Sequence, residues 1–260
     1  MDSSAQLPTV LSLCSGYGGI ERGLELAGLE HRVLAHVEIE AFAIANLVAK
    51  MEAGELAPSP IWTDVKTLPV DCFRDRIDVL TGGYPCQPFS NAGKRQGKDD
   101  SDGRHLWPYI CDIITAVRPV QCFFENVEGH LSLGLREVIE DLEGIGYEAT
   151  FGIFSAVEVG APHQRKRVYI LADTLSERSQ GRLQGRQDTQ WQSEYGYAGR
   201  SSSAHRQQGS DIWDVEPDVG RVAHGIADRV DRIRLLGNGV CPPTAARAWA
   251  VLNEQIKEEK

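Results

Sequence analysis

Val10-Leu11-Ser12-Leu13-Cys14-Ser15-Gly16-Tyr17-Gly18-Gly19 is the stretch that decides the fold class. A short apolar run with strand character enters a glycine-rich turn without a break, and a helical pattern follows at once. Glycines there permit backbone conformations closed to other residues, and a helix N-terminus behind them presents unsatisfied N–H groups to a ligand. Further on, Glu38 ends the next apolar run, where a carboxylate can accept hydrogen bonds from both ribose hydroxyls of a bound nucleoside. Strand, glycine turn, helix, strand and acid read as the opening βαβ unit of an open α/β sheet with an adenosine-type cofactor. The stretch from Gly16 to Glu38 also fits a nicotinamide dehydrogenase, or a plain turn with a solvated carboxylate. Asp64, after Ile61-Trp62-Thr63, stands where a third strand would end. It could accept from an adenine amino group, or simply cap a turn.

Working outward, β-branched apolar runs alternate with longer helical patterns through about residue 172, the signature of an α/β domain. Strands are expected at Val10 to Cys14, Arg32 to Glu38, Asp78 to Thr81, Cys122 to Asn126, Ala149 to Ser155 and Arg167 to Ala172. Leu131, Leu135, Val138, Ile139, Leu142 and Ile145 form one helical stripe that should bury against the sheet before Gly146 ends it. Residues 176–211 differ: 6 of the 36 are apolar, seven are Gln, five Gly and five Arg, too polar to build a core. The apolar pattern returns at Val230, and a last helix is expected from about Pro243 to Ile256.

The 260 residues carry 27 Lys plus Arg against 37 Asp plus Glu, a formal charge of −10 that argues against a general polyanion binder. The N-terminus lacks a secretory pattern, and no apolar run approaches the roughly 18 residues needed to span a bilayer. A soluble cytoplasmic protein with no membrane attachment is expected. Six scattered cysteines, without a C-x-x-C pair or clustered histidines, indicate neither a zinc site nor a disulfide framework, so no metal is expected.

One cysteine differs from the rest. In Gly83-Tyr84-Pro85-Cys86-Gln87-Pro88-Phe89-Ser90, Cys86 sits in a loop stiffened by flanking prolines, directly after a strand, which is where open α/β sheets place their ligands. Pro85-Cys86-Gln87-Pro88-Phe89-Ser90 resembles the catalytic loop of the C5-cytosine-specific DNA methyltransferases. Other segments follow in that family's order. Ser15 to Gly19 resembles its S-adenosylmethionine loop, Glu125-Asn126-Val127 its ENV motif, Gln164-Arg165-Lys166-Arg167 its QRRxR motif, and Gly237-Asn238-Gly239-Val240 its GNSV motif. The resemblance spans roughly residues 10 to 250.

The resemblance implies a Rossmann-like methyltransferase fold: a mostly parallel twisted sheet, helices on both faces and a small polar target-recognition insertion. Residues 1–172 would be the catalytic and cofactor-binding domain, 173–230 the insertion, and 231–260 a segment returning to the catalytic domain. Cys86 would be the nucleophile that adds to cytosine C6, its thiolate assisted by Arg165 and Arg167. Glu125 would meet the charge at ring N3, Asn126 would brace the loop, and Arg167 would contact the base O2 or its phosphate. Cys14, Ser15, Gly16, Tyr17, Gly18, Gly19, Glu38, Asp64, Pro85, Asn238 and Gly239 would hold S-adenosylmethionine. Gln87, Ser90, Arg95, Arg165, Arg182 and Arg186 would meet double-stranded DNA, with the cytosine flipped out of the stack. The run Ser90 to Arg104 suits a loop that orders on DNA.

The sequence departs from the family pattern at three places. Ser12-Leu13-Cys14 replaces the usual Asp-Leu-Phe, removing an adenine-stacking aromatic; Gly239 replaces a serine; and Lys166 replaces an arginine, a point charge for a planar fork. An RNA-directed relative and a catalytically weak DNA-binding relative are the alternatives. The tRNA-directed branch carries a Cys-Phe-Thr motif in its recognition region, and residues 173–230 hold no cysteine. A restriction endonuclease is one partner the resemblance would allow, and a single complete set of motifs implies monomeric action.

Overall fold

The structure, a computed structural model, describes residues 7–85, 106–174 and 237–258. Among them seven strands form one sheet in the order β3-β2-β1-β4-β5-β7-β6. These are β1 (Thr9–Leu13), β2 (Arg32–Val37), β3 (Ile61–Trp62), β4 (Val79–Gly82), β5 (Gln121–Val127), β6 (Glu148–Ser155) and β7 (Lys166–Asp173). The first five run parallel, while β7 lies antiparallel between β5 and β6.

Helices α1 (Gly19–Leu26), α2 (Ala41–Glu52), α3 (Trp107–Val117), α4 (His130–Leu133), α5 (Leu135–Gly144) and α6 (Pro242–Glu258) complete the described elements, with three short 3₁₀ turns. All five residues of β1 are buried, as a central strand covered on both faces requires. Successive side chains enter opposite cores. Leu11, Leu80 and Phe124 join α3 and α5 on one face, and Val10, Val79 and Phe123 join α1 and α6 on the other. Both helical layers therefore rest on the same alternating strands.

The six expected strands all form, with ends shifted by one residue or so. The expected single helix from Leu131 is instead two, α4 and α5, because Gly134 adopts φ 156° and resets the helical path. The last helix starts one residue earlier and ends two later than the apolar pattern predicts. It packs against α1 at Gly23, where an added Cβ would stand 2.6 Å from Ala245 Cβ and 3.0 Å from the Pro242 carbonyl. That closeness brings residues 238–240 over the glycine turn.

Candidate active site

The site lies at the carboxyl ends of β1, β2, β4 and β5. After β1 the chain winds through left-handed conformations at Cys14 (φ 49°), Gly16 (φ 55°) and Gly18 (φ 81°). Two of these positions are glycine for that reason, whereas Cys14 adopts it against its side chain. The Ser15 N–H donates to the Val37 carbonyl at 3.1 Å and the Gly18 N–H to the Ser15 carbonyl at 2.9 Å. Ser12 Oγ lies 2.8 Å from Ser15 Oγ, closing the turn from beneath. Burial, with Glu38 nearby, pushes the Cys14 thiol up to about 12, so it stays protonated near neutral pH.

Glu38 is drawn into this turn. Its Oε2 accepts from the Gly16 N–H at 2.7 Å and its Oε1 from the Glu40 N–H at 2.8 Å. Each oxygen keeps acceptor capacity for a further donor. Asp64 caps a 3₁₀ turn by accepting from the Lys66 N–H at 2.9 Å. A small pocket opens above the turn, lined by residues 12–17, 19–21, Gly83 and 238–240. It brings together Cys14, Ser15, Gly16, Tyr17, Gly19, Asn238 and Gly239, while Gly18, Glu38, Asp64 and Pro85 stand outside its lining.

Tyr17, expected among the cofactor-binding residues, is a latch. Its hydroxyl donates to the Val240 carbonyl, and Lys50 Nζ donates to the Tyr17 carbonyl at 2.8 Å while lying 5.1 Å from the ring centroid. Burial raises the phenol to about 12, so it remains a donor near neutral pH.

At the end of β5, Glu125 is 6% exposed. Antiparallel pairing sets Val127 opposite Arg167, which turns the Arg167 side chain toward the carboxylate; Nε stands 2.9 Å from Oε1. This close ion pair is the main favourable contact of Oε1. Burial pushes the carboxyl up to about 7, against the opposing pull of Arg167 and Arg165. Oε2 faces Gly83, where an added Cβ would stand 3.6 Å away. Asn126 donates from Nδ2 to the Tyr84 carbonyl at 3.1 Å, and its Oδ1 accepts from the Val127 N–H at 2.8 Å. It therefore ties the end of β5 to the residue two places before Cys86.

Arg165 reaches backbone as well. Its terminal nitrogens donate to the Gly237 carbonyl at 2.8 Å and the Gly239 carbonyl at 2.6 Å, joining the QRKR and GNGV segments. Those bonds clamp the rim of the pocket. Cys86, Gln87, Ser90, Arg95, Arg182 and Arg186 lie outside the described residues. Sequence reasoning missed Glu21, Thr81 and the Tyr84–His130 pair at 3.1 Å, because a buried polar contact between distant segments leaves no periodic trace. Among the described residues, no group of three or more His, Cys, Asp or Glu could hold a metal ion, and no helix is long and apolar enough to cross a membrane.

A glycine turn after β1, an acid at the end of β2 and an antiparallel β7 beside β5 define a Rossmann-like methyltransferase fold. The chain belongs to the C-5 cytosine-specific DNA methylase family, whose model matches residues 8–219. The type II methyltransferase M.NaeI of Lentzea aerocolonigenes is 32% identical over 171 residues, 63% of this chain and 39% of that protein. M.NgoMIV of Neisseria gonorrhoeae, also a type II methyltransferase, is 34% identical over 172 residues, covering 63% of this chain and 51% of that one. The S. pombe Dnmt2 methyltransferase structure superposes with a TM-score of 0.53 at 27% identity, covering 65% of this chain and 52% of that one. The chain thus spans about half or less of the length of the curated relatives it matches. The methyl donor of this family is S-adenosylmethionine.

Proposed function

We propose that this chain transfers a methyl group from S-adenosylmethionine to C5 of a flipped-out cytosine in duplex DNA, through a covalent bond between Cys86 and C6. The observation that carries the reading is Glu125: a buried carboxyl raised to about 7, oriented through Oε1 by Arg167, with Oε2 facing Gly83. Cytosine C5 is a poor nucleophile. When the Cys86 thiolate adds to C6, electron density moves toward N3, and a neutral Glu125 can donate its proton there while its other oxygen accepts from the exocyclic amine. The activated C5 then takes the methyl group, leaving the donor as the thioether S-adenosylhomocysteine. Loss of the C5 proton to solvent base expels the Cys86 thiolate, and return of the N3 proton to Glu125 restores the ring.

The groups around the turn match the polar ends of the donor. Amide N–H groups at the start of α1 and the remaining acceptor capacity of Glu38 suit its amino-acid and ribose ends. Bound there, S-adenosylmethionine supplies an electrophilic methyl sulfonium. Asn126 holds the chain entering the Cys86 loop, Arg167 keeps Glu125 oriented, and Arg165 and Tyr17 hold residues 237–240 over the pocket. We assign Gln87, Ser90, Arg95, Arg182 and Arg186 to DNA, residues 173–230 to target recognition, and the protein to the cytoplasm as a monomer. Type II relatives make a companion endonuclease the partner to look for.

Labelled methyl transfer to mixed-sequence duplex DNA, abolished in Cys86→Ala, tests the reading. A trapped covalent complex on DNA containing 5-fluorocytosine is expected, and its absence together with equal behaviour of wild type and variant sinks the idea. RNA is run in parallel as the alternative substrate. Transfer to RNA with none to DNA would replace the substrate and leave the chemistry.

A further inference from the structure

Beneath the glycine turn, His36, Ser12 and Thr81 lie side by side on three neighbouring strands, in register and fully buried. Glu21 of α1 closes over this polar row. It is 2% exposed, and its Oε1 accepts from the Thr81 hydroxyl at 2.6 Å. Its Oε2 is buried and has no hydrogen-bond partner among the described residues. A buried carboxylate oxygen left this way is costly and points to a missing donor.

Two ordinary explanations fail. Glu21 is the third residue of α1, the position from which a glutamate can reach back to the N-cap N–H. That N–H, from Gly18, already donates to the Ser15 carbonyl. His36 shares the row and lies within electrostatic reach of Glu21, yet neither of its ring nitrogens makes a hydrogen bond among the described residues. Glu21 also lines the pocket, where it is the single formally charged side chain among the lining residues. An added Cβ on Gly18 would stand 3.9 Å from Oε2, which places that oxygen at the turn.

The pocket thus brings a buried carboxylate with one open oxygen beside the amides of a helix N-terminus. This polarity matches a zwitterion: a carboxylate at the amides and an ammonium at Glu21. We propose that Glu21 accepts the ammonium group at the amino-acid end of the methyl donor, with Thr81 holding it in position. The proposal rests on the cofactor reading above.

Calorimetric binding of S-adenosylhomocysteine and of its desamino analogue, to the full chain, separates the possibilities. Wild type is expected to prefer S-adenosylhomocysteine by about tenfold or more, the scale of a charged hydrogen bond. Glu21→Gln should lose that preference by weakening S-adenosylhomocysteine while leaving the analogue within about twofold. Thr81→Val, which keeps the volume, should reduce the preference by roughly threefold and serves if the first variant fails to fold. Equal weakening of both ligands, or a wild type indifferent to the amino group, overturns the assignment of Glu21 but leaves the cofactor. A wild type that binds neither ligand overturns both.

Discussion

Glu125 shows how much one buried side chain can decide. Its carboxyl is ordinary in the unfolded chain, at 4.5, and raised to about 7 in the fold. Between those values the folded chain holds a proton that the unfolded chain has released, so stability falls as pH rises through the window. At 1.36 kcal/mol per unit the loss approaches about 3 kcal/mol. Urea melts at pH 5 and pH 8 should therefore show Glu125→Gln gaining on wild type by up to about 3 kcal/mol; a constant difference would contradict the raised value. The same sign governs chemistry, and methyl transfer should decline as pH passes about 7 and the proton donor is lost. Arg165 makes the complementary case. Arg165→Ala removes both bonds to the Gly237 and Gly239 carbonyls and should lower stability by about 2 kcal/mol, with a smaller melting shift from S-adenosylhomocysteine. If the shift is unchanged, the clamp does not shape the pocket. The sequence made both residues legible as candidates, because each ends or begins a strand within a motif. It could not convey that one is neutral and the other faces backbone, since burial and antiparallel register set those properties.

At the scale of elements, the strands were readable because β1, β4 and β5 send alternate residues into two cores and so carry unbroken apolar runs. The helices were less so. Leu131 to Ile145 kept one stripe across Gly134, and only the backbone conformation of that glycine divides α4 from α5. The contact of α1 with α6 was invisible, because Gly23 and Ala245 mark it by what they lack. Gly23→Ala would drive a Cβ to 2.6 Å from Ala245 Cβ and toward the Pro242 carbonyl. Helix propensity alone would reward the change by nearly 1 kcal/mol, but overpacking between two helices costs about 1–3 kcal/mol, so net destabilisation is expected. A compensating Ala245→Gly should recover most of it in thermal melts. A stabilised Gly23→Ala would mean that α6 slides freely on α1, and that residues 238–240 are not fixed by this contact.

At the scale of the whole molecule, the net charge of −10 misleads because it averages over an uneven distribution. Residues 161–210 hold eight Lys plus Arg and four Asp plus Glu, so this window is +4 and the remainder −14. The window begins just before β7, with Arg165 ahead of the strand and Arg167 at its start beside Glu125. On the proposed function, so uneven a balance favours a few local phosphate contacts over broad coating of the backbone. Each contact contributes about −0.9 to the slope of log affinity against log salt. The slope for duplex DNA should therefore be shallower than about −5, and reversing Arg182 and Arg186 to Glu should weaken binding across sequences. A steeper slope, or indifference to those reversals, would move the DNA to another face and leave the basic window without a role. A shallow slope that persists in Cys86→Ala would show that the contacts form before any bond to the base, as recruitment by local charge requires.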